Sequence, residues 1–545
     1  MSSERVVTAM KKSFEILKNR KKMISLFVLA LMIVSAAFLA GWIEEGEYNH
    51  SPAAGLLLVA VGMLLFFLLY VLFVILRAHV SRARKAVSIS KLFLISFAVI
   101  TLSWLFCLLV FFPGLGMNDS LIIMMNGLHM STQHPMLYCA FVSVCTWVGL
   151  GIGSLTAAAV IYSVLQLIFV SGCCSVCIIW LGMKKVPTFM VALAVCFYAF
   201  CPFLAMYSVT MIKDVIFSAL LMLWIPCLYE VLVSEEKRIL TSKQSVVLLV
   251  ILSLGTILWR NNGIFITIPL LTIIMIKSKY LRKPLAGGIL LIAVVSALPS
   301  VVMASRDKEP LFQESAAIPI QQIAAVIYYD GVIGDAEKEF INEIMPLESV
   351  KDKYNPYTVD PIKWGTFNRE YLSQNKAEFL YTWLKLFKDN KAIYAKAYLQ
   401  TTFGFWSPLH HSSGTLPSLA DVATGDETLE RFIADKGLCS SSVLPESISG
   451  QLKNLYRATA VFIGEGQCFW LILLIGEMLY WLFGKRILWI CVPLILLWLT
   501  LMVSVPVAYS FRYVLAYPFC MPLLLGLCFK GDMTDRRLLD EHSRK

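Results

Sequence analysis

An all-α polytopic membrane protein is the fold class this sequence predicts, and three observations carry the prediction. Hydrophobic residues make up 58% of the 545 and charged residues only 15%, with a mean hydropathy of +0.73, whereas soluble domains carry roughly 25% charge. Apolar runs of about 18 residues or more recur from end to end, each long enough for a hydrocarbon layer of roughly 30 Å at 1.5 Å per residue. The basic residues fall in short clusters between these runs. A net charge of +11 also suits a nucleic-acid binder, but clusters alternating with apolar runs are what the positive-inside rule requires. The expected partner is therefore membrane lipid, and no nucleic acid.

The elements follow in chain order. Lys18, Arg20, Lys21 and Lys22 precede the run 23–43, and Glu44, Glu45 and Glu47 follow it, so the first span leads from inside to outside. No small-residue cleavage site follows, and the run reads as a retained anchor rather than a signal peptide. The second run, 52–76, ends at Arg77, Arg82, Arg84 and Lys85, and the third, 92–112, stops at Pro113. The mixed segment PGLGMNDSLIIMMNGLHMSTQHP, residues 113–135, is then an outer loop. Two apolar stretches follow, 136–152 and 155–182, and if both crossed, Lys184 and Lys185 would be stranded outside. The first is short and carries Gly149, Gly151 and Gly153, so it is assigned to the outer interface.

With that choice the later basic clusters, Lys237, Arg238 and Lys243, the loop 277–284, Lys485 with Arg486, and the C-terminal tail, all fall inside. The remaining spans are 187–206, 215–233, 245–259, 264–276, 285–303, 459–483, 487–505 and 514–529, about twelve in all. The chain divides into an N-terminal hairpin (1–91), a core (92–303), a mostly helical extracytoplasmic region (304–456), three C-terminal spans (457–530) and a cytoplasmic tail (531–545). A multi-pass plasma-membrane protein with both termini cytoplasmic is expected.

Of the 14 cysteines nearly all lie in apolar runs, and Cys439 stands alone in the polar region, so no disulfide framework is expected. Cys173, Cys174 and Cys177 lack the further ligands a zinc site needs and read as packing residues. Gln166 reads as interhelical glue, and Glu230 and Glu477, near the cytoplasmic ends of their spans, are given no chemistry. His410 and His411 read as membrane-docking residues of the outer region.

An Asp or Arg at mid-bilayer costs roughly 2.5–3.5 kcal/mol, so charges beside spans call for a reason. Asp119 in the first outer segment, Lys213 and Asp214 in MIKDV, Arg260 in WRNNG with Asn261 beside it, and Arg512 in YSFRY with Tyr513 beside it all fall at outer ends of spans. Any one of them could simply reach for headgroups. Two carboxylates and three cations at one depth instead suit a phosphate: the cations hold it, and a carboxylate takes a proton or binds a divalent metal. His134 in TQHPM is a candidate ligand, base or cap, with Pro135 well placed to open a helix.

An early span, an outer loop with Asp119 in GMNDS, the His134-Pro135 turn, Asp214 in a later outer turn, a large outer region and a late Arg512-Tyr513 pair together resemble the GT-C class of membrane glycosyltransferases. Within that likeness the chain is similar to an uncharacterised group of bacterial multi-span proteins. The resemblance covers about residues 92–520, although the first outer loop has no DxD or ExD pair and WWDYG is absent. It implies transfer of a sugar from a polyprenyl-phosphate donor to an envelope glycan, lipid or protein. Asp119 would be the base or a metal neighbour, Asp214 would orient the acceptor or a cation, and Lys213, Arg260 and Arg512 would bind the donor phosphate. The alternatives are a lipid or polysaccharide transporter or flippase, whose charges would sit at mid-bilayer in two related halves, and a non-catalytic envelope assembly protein.

Overall fold

The computed structural model describes residues 13–45, 51–80, 88–127, 134–234, 242–304, 312–409, 427–438, 442–459 and 463–530. His410, His411 and Cys439 lie outside them. Among the described residues there is no strand, only isolated bridges such as Leu115 with Thr210 and Thr358 with Val507. The first half of the chain gives α1 (Arg20–Glu45), α2 (Pro52–Val80), α3 (Ile89–Val110), α4 (Asn118–Asn126), α5 (Met136–Ile152) and α6 (Leu155–Met183). Then come α7 (Thr188–Phe200), α8 (Pro202–Ser208), α9 (Lys213–Leu228, continued by a wider turn over Tyr229–Val233), α10 (Ser242–Trp259), α11 (Gly263–Lys277) and α12 (Lys279–Ala304).

Nine helices among the described residues are long and apolar enough to cross a bilayer, or ten if α7 and α8 count as one bent span. Three of the twelve expected segments stand outside those nine. The run 187–206 breaks by 56° between α7 and α8, where Pro202 opens the second helix and cannot supply the amide that would continue the first. The runs 245–259 and 264–276 form helices shorter than a full span, because the chain reverses at Arg260–Asn262 and the Gly263 amide bonds back to the Arg260 carbonyl at 2.8 Å.

With 29 residues, α6 is about 43 Å long, more than a hydrocarbon layer needs. α5 lies antiparallel along its first half only: the Phe141 and Tyr162 rings are 5.0 Å apart, and Gly149 abuts Ala158. At the far end of α6, Lys184 meets Glu230 at 2.6 Å. Arg486 donates to the Leu232 carbonyl at 2.7 Å, Lys530 bonds the Tyr229 hydroxyl, and Lys22 donates to the Trp481 carbonyl at 2.7 Å. Basic residues from four distant segments thus gather at one end of the bundle. Cys173, Cys174 and Cys177 are buried in α6, and the thirteen cysteines of the described residues are all free.

The polar region beyond α12 is helical and has its own hydrophobic core. α13 (Ala317–Tyr328), α14 (Lys376–Asp389) and α15 (Lys391–Thr401) contribute Ile320, Ile323, Phe379, Leu386 and Tyr394 to it. The last residue of that core is Tyr394. Phe403, Phe405 and Trp406 belong to the main core instead, because this aromatic turn is clasped from the bundle: Trp470 and Trp498 donate to the carbonyls of Trp406 and Phe405 at 2.8 and 2.9 Å. After α16 (Glu427–Asp435) and α17 (Glu446–Thr459), the chain re-enters the bundle as α18 (Glu465–Phe483), α19 (Val492–Ser504) and α20 (Ala516–Cys528).

Candidate functional site

Two short backbone seams assemble one cluster of charges at the end of the bundle opposite Glu230. Gly114 (φ +135°) makes the turn after α3, where an added Cβ would run into the Ser163 hydroxyl. The next residue then pairs with the turn before α9: the Leu115 amide donates to the Val209 carbonyl at 2.9 Å, and the Met211 amide to Leu115 at 2.8 Å. Gln166 of α6 donates to the carbonyls of Ser208 and Thr210 at 2.9 and 2.7 Å, the interhelical contact its lone position suggested. In this way Asp119 at the start of α4 and Lys213 at the start of α9 are brought side by side.

The second seam joins the polar region to the approach of α20. Val359 donates to the Pro506 carbonyl at 3.0 Å and Ala508 to Tyr357 at 2.8 Å. The chain then makes a tight turn over Phe511–Val514, which presents Arg512 and Tyr513.

The outer layer of the cluster centres on Asp119 Oδ2, which lies 3.3 Å from Arg512 Nη1 and 3.6 Å from Lys213 Nζ. All three side chains keep between 15 and 24% of their surface exposed. Burial pushes the Asp119 carboxyl upward, but the charges of Lys213 and Arg512 outweigh it and hold the group well below the usual carboxylate range. Lys213 Nζ is also 3.3 Å from His134 Nδ1. Burial and then the Lys213 charge push the imidazole down to about 4, so the ring is neutral at pH 7 and Nδ1 can accept from the ammonium.

The inner layer is closed. Asp214 is wholly buried and Arg260 8% exposed, with 2.9 Å between Oδ1 and Nη1. The pair touches without hydrogen-bond alignment, and both Asp214 oxygens lack such a partner. An acid in the first turn of α9 is favoured by the helix dipole. The Arg260 guanidinium lies 5.1 Å from each of the Phe217 and Tyr513 rings. Tyr513 in turn carries Arg512 4.9 Å from its ring centre and accepts from Arg512 Nη2 at 3.1 Å. One alternating series therefore runs from Asp214 through Arg260, Tyr513, Arg512, Asp119 and Lys213 to His134. Asn261 is exposed on the turn beside Arg260.

Sequence reading had not singled out Tyr138, Tyr162, Trp259 or Asp360. The Tyr138 hydroxyl is buried without a hydrogen-bond partner and lies within electrostatic reach of Asp119 and Asp214. Its position four residues after His134, one helical turn on, is the signal that could have found it. Asp360 lies within reach of Arg512, with burial raising its carboxyl; only the second seam reveals that proximity. Among the described residues no three His, Cys, Asp or Glu side chains group as a metal site. Both candidate carboxylates already face cations, so a divalent ion, which needs several free oxygen ligands, fits this donor set poorly.

Residues 125–537 match a family described as a family of unknown function, DUF6020, and the chain belongs to it. No curated protein and no solved structure matches the chain.

Proposed function

We propose that this DUF6020 protein transfers a sugar from a polyprenyl-phosphate carrier to a hydroxyl of a cell-envelope acceptor at the outer face of the plasma membrane. The observation that carries the reading is one partly exposed carboxylate, Asp119, with two partly exposed cations, Lys213 and Arg512, against it. These sit at the end of the bundle away from the basic cluster of Lys184, Arg486 and Lys530. Basic clusters mark the cytoplasmic side, which puts Asp119 outside and both termini inside. α5, confined to the outer half of α6, then lies toward the outer interface without crossing.

The chemistry asked of the chain is proton removal and leaving-group stabilisation. The acceptor oxygen bonds to the anomeric carbon while the bond from that carbon to the phosphate oxygen breaks. The bonding pair leaves on the lipid phosphate, and the acceptor's proton passes to Asp119. Lys213 and Arg512 meet the charge that develops on the departing phosphate. The buried Asp214–Arg260 pair supports Tyr513 and, through it, Arg512. His134 holds Lys213.

Reconstitution in liposomes with a radiolabelled polyprenyl-phosphate sugar and envelope glycan tests this. Release of polyprenyl phosphate with label on the acceptor is the expected result. Movement of the donor between leaflets without cleavage would make the protein a flippase, and neither outcome would remove both activities.

A further inference from the structure

Asp119 is at once the base of the reaction above and the counter-ion of the cations meant for the phosphate. Both cations meet it on the same oxygen, Oδ2, at 3.3 and 3.6 Å. A carboxylate held by two cations is a poor proton acceptor, because protonation discards both attractions. A phosphate oxygen arriving at the same cations would weaken those attractions, leave the carboxylate less compensated and add a second anion beside it. We propose that Asp119 and the donor's phosphate compete for Lys213 and Arg512, so that binding of the donor itself converts Asp119 from an ion-paired anchor into a base. This rests on the transfer reading and adds to it an order of events: donor first, base second.

The surroundings of Asp119 allow this. Facing it are Lys213 at the start of α9, Arg512 on the turn before α20 and His134 before α5, with Tyr138 on α5 and Asp214 behind. α16, which also packs against α4, carries Glu427, Glu430, Arg431 and Asp435. The inner cation, Arg260, has its own counter-ion in Asp214 at 2.9 Å and is not required to move. Without a donor, the base is quenched and water near the site is not activated. With a donor, the two cations shift their charge to the phosphate, and the acceptor's proton finds an unquenched carboxylate.

Linkage turns this into a binding measurement. Whatever factor separates phosphate affinity for the ionised and neutral forms of Asp119 is the same factor by which phosphate raises its proton affinity. Asp119→Asn mimics the neutral form. Full-length protein in nanodiscs would be titrated with polyprenyl phosphate, the leaving group, by a fluorescence or calorimetric binding assay. Asp119→Asn is expected to bind about tenfold more tightly than wild type, equivalent to about one unit of proton affinity. In the Lys213→Gln background the same substitution should tighten binding by distinctly less, because one contested cation is gone.

Equal affinity of wild type and Asp119→Asn overturns the competition while leaving the transfer reading intact. A full tenfold gain in the Lys213→Gln background also overturns it, leaving simple repulsion between carboxylate and phosphate. Failure of wild type and Asp119→Asn alike to bind polyprenyl phosphate removes the transfer reading and this inference together.

Discussion

Arg512 and Asp119, 393 residues apart in the chain, meet at 3.3 Å. Each would otherwise be an isolated charge beside a membrane span; together they make a neutralised pair that can remain partly exposed without a large penalty. Their meeting depends on the seam from Tyr357–Val359 to Pro506–Ala508 and on the pairing of Leu115 with the α9 turn, so both halves of the chain contribute to one centre.

If Asp119 takes the acceptor's proton, Asp119→Asn keeps the volume and removes the basicity. Single-turnover transfer should fall by roughly 10²–10⁴, even though the donor is bound more tightly. Rapid-quench transfer with saturating donor measures this. Full transfer by the variant would take Asp119 out of the mechanism.

Arg260 and Asp214 lead to a different expectation. Removing one partner of a buried ion pair costs about 3–5 kcal/mol, whereas replacing both by apolar residues is often neutral. Arg260→Ala and Asp214→Ala should each lower the thermal midpoint sharply, and Asp214→Leu with Arg260→Met should recover most of the loss. Differential scanning fluorimetry of the four proteins in one detergent decides it. A wild-type midpoint for Arg260→Ala, together with lost donor binding, would return that arginine to direct contact with phosphate.

The polytopic helical class was legible because the bilayer imposes a one-dimensional rule, length of apolar run, that needs no tertiary information. That rule does not decide at 187–206, where Pro202 bends the helix, or at 245–276, where two helices shorter than a full span flank the Arg260 turn. Asp119, Lys213, Asp214, Arg260 and Arg512 were found together because charges in an apolar chain are conspicuous. Their division into an open layer and a closed one was not legible, since it depends on whether Tyr513 and Phe217 cover Arg260. Tyr138 stayed hidden because a tyrosine in an apolar run looks like packing.

His134 gives the site a pH signature in stability. Its folded value of about 4 lies below the ordinary 6.5 or so of a free histidine, so the unfolded chain binds the proton more readily. The stabilisation is fully present above about pH 6.5, declines as pH falls, and is gone once pH passes through about 4. It amounts to at most about 3 kcal/mol. Thermal midpoints of wild type should therefore fall more steeply between pH 7 and pH 4.5 than those of His134→Gln, which keeps an acceptor for Lys213 and cannot titrate. Parallel curves would show that the imidazole is already charged or free in the fold.

Topology can be tested at a residue whose side chain is available. Lys184 is unsuitable, being 4% exposed and tied to Glu230, but the adjacent Lys185 is exposed. It sits at the end of α6 where the basic residues gather, so the proposed orientation places it in the cytoplasm. Asp435 is exposed as well and neighbours Lys436, whose carbonyl receives the Leu155 amide at the opposite end of the same helix at 2.8 Å. On a background without native cysteines, Asp435→Cys should react with an impermeant maleimide in intact cells and Lys185→Cys only after permeabilisation. The two residues bracket α6, so opposite labelling establishes that α6 crosses from outside to inside. Reaction of both from outside would mean that α6 does not cross, and reaction of Lys185→Cys alone from outside would invert the proposed orientation.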